Sequence, residues 1–168
     1  HDSLDCTVQG NFVYIRNDQD NLMVYQINST YQLEFISEYS FLELYSMYFY
    51  ENYLFTCDSQ SLQVFDYSDP GNLVYISHYN ISFAKSIHFI NTIACLVSND
   101  AFTTLDISNI DSLSSLDQYT FGSREDCEFR RVETSGNLAI ILTEGWIEDT
   151  LSSKYTGYLY IFDVSLPD

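Results

Sequence analysis

The side chains of this chain that could do chemistry are three histidines, four cysteines and a recurring Asp-x-Ser triplet. A nucleophile needs a base within hydrogen-bond reach and a group that orients the base. His1, His78 and His88 are isolated from one another, and Gly122-Ser123-Arg124 lacks the Gly-x-Ser-x-Gly frame that exposes a serine on an elbow. Cys6, Cys57, Cys95 and Cys127 contain no Cys-x-x-Cys and no Cys/His pair at ligand spacing, so they point to no metal. Asn17-Asp18-Gln19-Asp20-Asn21 opens like a Ca²⁺ loop but lacks the central glycine and the distal glutamate, and it reads as a solvated hairpin turn. Carboxylate pairs of the kind used in glycoside hydrolysis are always available in so acidic a chain, so their presence decides nothing. No catalytic residue, metal ligand or cofactor is expected, and the chain reads as a non-enzyme.

The Asp-x-Ser triplets have a structural reading. Asp66-Tyr67-Ser68, Asp106-Ile107-Ser108 and Asp163-Val164-Ser165 each follow an apolar run. A carboxylate there can accept hydrogen bonds from backbone N–H groups just beyond a strand, ending the strand and shaping the turn. The triplets belong to a repeat. A shift of 40 residues superposes the sequence on itself without gaps from about residue 8 to residue 120, aligning Leu22 with Leu62 and Phe102, and Val24 with Val64 and Thr104.

Alternation and turn residues divide the second unit into strands near residues 44–50, 53–57, 61–66 and 73–79. A lone four-stranded meander cannot bury both of its faces, and a period of about 40 with four strands predicts a β-propeller blade. The expected architecture is all-β: one β-propeller domain of about four four-stranded blades, with units near 1–40, 41–80, 81–120 and 121–168. The fourth unit is longer, because Asp163 follows Asp106 by 57 residues. The surplus divides between residues 121–131 and 144–158, the second holding the only tryptophan, Trp146. That unit also lacks its outermost strand. The chain is then a segment of a larger propeller, or has a three-stranded blade, or takes the missing strand from another molecule by edge addition.

Within this frame Gly10-Asn11-Phe12-Val13-Tyr14-Ile15, Ser61-Leu62-Gln63-Val64-Phe65-Asp66-Tyr67-Ser68-Asp69-Pro70 and Gly136-Asn137-Leu138-Ala139-Ile140-Ile141 resemble the LVIVD repeat of cell-surface and secreted β-propeller proteins. The resemblance implies the fold and no particular activity, since that family shares a blade and no catalytic set. The first unit departs from it, with Gln26-Ile27-Asn28 in place of Asp-x-Ser.

Six basic residues against 24 acidic ones give a net charge of −18, which repels phosphate backbones and anionic lipid and disfavours nucleic-acid binding. No apolar run is long enough to span a bilayer as a helix. A chain that begins at His1 reads as a mature chain whose leader has been removed, or equally as a trimmed one. An even number of cysteines and the sequons at Asn28 and Asn80 tilt the compartment towards the extracellular space or cell surface, with N-glycans on those two residues. Cys6 and Cys127 fall on innermost strands of the first and fourth units. In a closed four-blade ring a disulfide between them would staple the closure, contributing roughly 4 to 5 kcal/mol in the chain-entropy model.

The function expected from these readings is non-catalytic: an extracellular structural or adhesive protein whose propeller surface serves assembly with other proteins, copies of itself included. Strand addition at the incomplete last blade would build a filament. Trp146, Leu159, Ile161 and Asp163 are the expected partner contacts. The alternative is a glycan- or peptide-binding propeller, and a glycosidase or lyase ranks third.

Overall fold

The computed structural model describes residues 6–41, 43–120, 127–149 and 152–165. Blade 1 consists of β1 (Cys6–Gln9), β2 (Phe12–Arg16), β3 (Asn21–Ile27) and β4 (Leu33–Ser40). Blade 2 consists of β5 (Ser46–Tyr50), β6 (Tyr53–Cys57), β7 (Ser61–Asp66) and β8 (Val74–Asn80). Blade 3 has β9 (Ser86–Ile90), β10 (Ile93–Val97), β11 (Ala101–Asp106) and β12 (Ser114–Thr120), and blade 4 has β13 (Cys127–Ser135), β14 (Leu138–Asp149) and β15 (Ser152–Asp163). Every sheet is an antiparallel meander in chain order, four-stranded in blades 1 to 3 and three-stranded in blade 4. The chain is an all-β protein of the β-propeller type.

A strand with apolar residues at successive positions has a row to bury on each face, so each sheet must be covered on both sides. The blades do this by stacking. Tyr14, Leu22 and Val24 of blade 1 pack with Leu44, Met47 and Leu54. Phe55, Leu62 and Val64 of blade 2 pack with Ile87, Leu96 and Leu105. Cys95, Val97 and Phe102 of blade 3 pack with Phe129, Val132 and Ile141. Each fully buried aliphatic or aromatic side chain contributes about 1.5–3 kcal/mol. Polar ties lock the same junctions: Ser46 Oγ donates to the Lys85 carbonyl at 2.8 Å, and the Leu73 N–H donates to the Tyr39 hydroxyl at 2.8 Å. No apolar cluster joins blade 4 to blade 1 among the described residues.

The register corrects the gap-free repeat. Val24 pairs with Tyr14, whereas Val64 pairs with Phe55, so β3 is offset from β7 by 40 residues but β2 from β6 by 41. The cause is local: the β2–β3 turn, residues 17–20, is one residue longer than the β6–β7 turn, residues 58–60. Tight turns between the first two strands of each blade hold Gly10, Glu51, Asn91 and Gly136 at φ of 59°, 52°, 50° and 58°. Glycine takes this left-handed conformation without steric cost; glutamate at position 51 does not.

Cys6 lies opposite Ile15, as Met47 lies opposite Thr56, Ile87 opposite Leu96 and Val132 opposite Ile141. Val132, not Cys127, therefore takes the place of Cys6 in blade 4. Cys127 lies opposite Gly145, and its side chain is outside the described residues. Cys6 is a free, exposed thiol, so the expected Cys6–Cys127 staple is not formed in this structure. Cys57 and Cys95 are free and buried, and burial pushes each thiol up to about 12.

The surplus of residues 144–158 lengthens strands. β14 and β15 stay paired from Leu138–Asp163 out to Asp149–Ser152, forming a ribbon that extends past the blade. The ribbon is tight at Gly157, where a Cβ would stand 2.9 Å from the Thr143 carbonyl oxygen.

Candidate functional site

The register assigns every strand residue to the face turned towards the preceding blade or to the face turned towards the following one. On the forward face, Leu22, Leu62, Phe102 and Leu159 are equivalent, and so are Val24, Val64, Thr104 and Ile161. In blades 1 and 2 these residues are fully buried, and Phe102 and Thr104 are 4% and 8% exposed. In blade 4, Leu159 is 63% and Ile161 61% exposed. Leu138 and Leu142 share that face and are exposed as well. Among the described residues blade 4 thus carries an exposed face of the blade-packing kind, with Leu159 and Ile161 on its edge strand β15.

The backward face of blade 1 shows the complementary feature. Ile15 is partly exposed where its equivalents Thr56, Leu96 and Ile141 are fully buried. Val8 is 56% exposed, while its equivalents Phe49 and Phe89 pack into interblade clusters. Met23, Tyr25 and Cys6 lie on the same face. Exposed apolar residues on outer strands carry no such meaning: Phe35 of β4 is matched by an equally exposed Tyr75 on β8.

A cleft of about 570 Å³ runs between β11 and β12 of blade 3 and the exit of β15, with Phe102, Leu116, Tyr119 and Phe162 among its walls. At the earlier junctions the turn after the third strand occupies this place, where Leu73 and Leu113 tuck between blades and Ser77 Oγ donates to the Ile110 carbonyl. The cleft lies beside the outer edge of β15, which pairs with no strand among the described residues.

Asp163 has its carboxylate committed to the turn: Oδ1 accepts from the Ser165 N–H at 3.0 Å and from Ser165 Oγ at 2.6 Å. Asp66 and Asp106 accept from Ser68 and Ser108 in the same way. These hydrogen bonds hold all three carboxyls below the ordinary aspartate value. In the first unit Asn28 plays this role, accepting from the Thr30 N–H at 2.9 Å and from Thr30 Oγ1 at 2.7 Å. Asn80 is exposed at the end of β8. Trp146 lies in the ribbon opposite Tyr155, and its side chain is outside the described residues. The Asn17 side chain is spent inside its own turn, accepting from the N–H groups of Gln19 and Asn21 at 2.9 Å.

One arrangement had no signal in the sequence, because its members are about 46 residues apart. His88 Nδ1 lies 2.6 Å from Thr134 Oγ1, and its Nε2 lies 3.3 Å from Glu133. The order of hydroxyl, imidazole and carboxylate resembles a catalytic triad, yet Thr134 Oγ1 donates to the Phe89 carbonyl at 3.2 Å. The direction of the 2.6 Å imidazole–hydroxyl bond is set by the histidine tautomer. The group ties the inner strands of blades 3 and 4 together.

No protein-family model matches the chain, and no curated protein does. Solved structures do resemble it. The N-terminal domain of Nup159 is 12% identical with a TM-score of 0.64 over 94% of this chain and 43% of its own. A protein from Lactobacillus plantarum is 13% identical, with a TM-score of 0.69 over 90% of this chain and 53% of its own. The computationally designed Ika4 protein is 11% identical, with a TM-score of 0.64 over 98% of this chain and 94% of its own. The chain spans about half the length of the first two. At such identities the likeness concerns the fold, which is that of β-propeller-type proteins.

Proposed function

We propose that the chain is a non-catalytic protein-binding propeller, an extracellular structural or adhesive module of LVIVD kinship that assembles with other proteins, copies of itself included. The observation that carries the reading is the outer edge of β15, unpaired among the described residues, beside an apolar cleft. An added strand would satisfy the free backbone groups of the edge, and an apolar side chain from its turn would fill the cleft as Leu73 and Leu113 fill the corresponding places. Repeated from copy to copy, such addition makes a filament. Protein binding by a fold of this kind has a parallel in Nup159, which is found bound to Dbp5 in a complex from S. cerevisiae.

A synthetic peptide with the sequence of residues 73–80 is the probe. Saturable binding that slows amide exchange along β15 supports the proposal. Absence of binding at millimolar peptide, with β15 exchange unaltered, refutes strand addition. The extracellular assignment has its own readout: expression through a secretory pathway should yield a chain whose mass falls on glycosidase treatment, by way of Asn80 and Asn28. The cleft also favours a peptide-binding reading, in which the bound segment remains a ligand and builds no polymer.

A further inference from the structure

We propose that His88 is a proton-operated latch on the junction of blades 3 and 4: when its imidazole gains a proton the inner strands β9 and β13 are held together more tightly, and when it loses one they are loosened. The latch sits on the inner strands and is independent of whatever binds at the β15 edge.

Three contacts across the junction make the latch. His88 Nδ1 lies 2.6 Å from Thr134 Oγ1, Thr134 Oγ1 lies 3.2 Å from the Phe89 carbonyl oxygen, and His88 Nε2 lies 3.3 Å from Glu133 Oε2. The hydroxyl has one proton to give, and a neutral imidazole has one. With the ring proton on Nδ1, the ring donates to Thr134 and Thr134 donates to Phe89, but the bare Nε2 lone pair faces a carboxylate. With it on Nε2, the ring donates to Glu133 and Thr134 donates to Nδ1, and the Phe89 carbonyl loses the hydroxyl. Either neutral tautomer makes two of the three contacts; only the imidazolium makes all of them. A proton bound better by the closed junction than by an opened one favours the closed junction as pH falls, and that hold is lost as pH rises through the imidazole range.

The groups around the ring set the size of the effect. On β13 the Glu133 carboxylate is shared, Oε1 accepting from Arg131 Nε at 2.7 Å and pairing with Nη2 at 2.6 Å, which leaves Oε2 to His88. Arg130 is paired with Glu144 at 3.3 Å. On β10 Cys95 lies opposite His88, and burial pushes its thiol up to about 12, so it brings no charge at neutral pH. On β5 the Tyr48 hydroxyl lies 3.1 Å from Ser86 Oγ, and burial holds the phenol above its ordinary value, so it too is neutral. Both partners of the ion pair are partly exposed, and water screens them. The junction of blades 2 and 3 gives the contrast. Tyr48 stands there at the register position of His88, and the ties to blade 3 run through Tyr48 to Ser86 and through Tyr50 to the Asn91 carbonyl. Neither changes its protonation between about pH 5 and 8.

The test is native-state amide exchange of the full chain, read as protection factors so that the intrinsic pH dependence of exchange drops out. From about pH 8 to about pH 5.5 the protection of β13 amides should rise about 2- to 5-fold, the size of a partly exposed ion pair, while that of β5 amides stays level. His88→Gln should remove the rise, and Glu133→Gln should do the same and serves if the first variant does not fold. Arg131→Gln leaves Glu133 to the imidazole alone and should enlarge the rise. A histidine that only fills space would, when replaced, lower protection equally at both pH values. His78, which sits on Tyr75 in the outer strand β8, is the control, and His78→Asn should leave the rise intact. Equal β13 protection at the two pH values overturns the proposal, and so does a rise that survives His88→Gln or Glu133→Gln. A rise of the same size along β5 overturns a latch local to blades 3 and 4.

Discussion

The junction between blades 2 and 3 and the outer face of blade 4 are built from the same kinds of residue in the same register. Leu62 and Val64 are sealed beneath blade 3, and Leu159 and Ile161 lie at more than 60% exposure. Residue type and register are matched; the two places differ in that blade 3 covers the one face, and in that β7 is flanked by β8 whereas β15 is an edge strand among the described residues. Apolar burial in this fold is a property of blade pairs.

Substitutions can break that comparison, beginning with the largest effect. Phe55→Ala removes a fully buried ring from the junction of blades 2 and 3 and should cost about 3–5 kcal/mol in urea unfolding. Gly157→Ala, in the ribbon, sets a Cβ against the Thr143 carbonyl oxygen and should cost about 1–3 kcal/mol by the same measurement, since backbone must shift. Tyr14→Phe acts in the opposite direction. The Tyr14 hydroxyl is buried without a partner among the described residues, and burial pushes its pKa up to about 12. Removing a hydroxyl that lost water and gained nothing should stabilise by about 1 kcal/mol, visible as a higher melting temperature. Ile161→Ala should change the stability of the dilute chain by less than about 0.5 kcal/mol. A loss as large as that of Val64→Ala would mean that the face of blade 4 is already covered, and the contrast would collapse.

The smallest effect is in acid. Asp66, Asp106 and Asp163 have folded-state values below the ordinary 3.8, so the folded chain binds fewer protons than the unfolded one in that range. Their contribution is complete above 3.8 and disappears as pH falls through the lowered folded values. Thermal midpoints between pH 5 and 2 should decline, and Asp106→Asn should flatten part of the decline. Equal flattening by Asp163→Asn would show that the strand-ending turn works alike at both ends of the comparison.

Period, strand order and turn chemistry were legible in the residues because they are local. The strands expected at 53–57 and 61–66 are β6 and β7 as observed, and the first and fourth strands of that unit, β5 and β8, differ from expectation by one or two residues at their ends. The one-residue gap in blade 1 escaped notice because Leu, Val and Tyr occupy both faces of these strands, so a slip by one residue still aligns apolar with apolar. Cys6 and Cys127 do lie on the first strands of blades 1 and 4, but at different register positions, Cys6 opposite Ile15 and Cys127 opposite Gly145. His88 and Thr134 meet only when two inner strands lie side by side.

The amino-acid sequence by itself determined that this protein is a series of blades, since a period-2 alternation broken by Asp-x-Ser turns every 40 residues can bury its apolar rows in no other way than by stacking. Tertiary structure alone decided which of these rows are covered. Leu62 and Leu159 have the same chemistry, and only the packing of blade 3 on blade 2 places the one in a core while the other is 63% exposed.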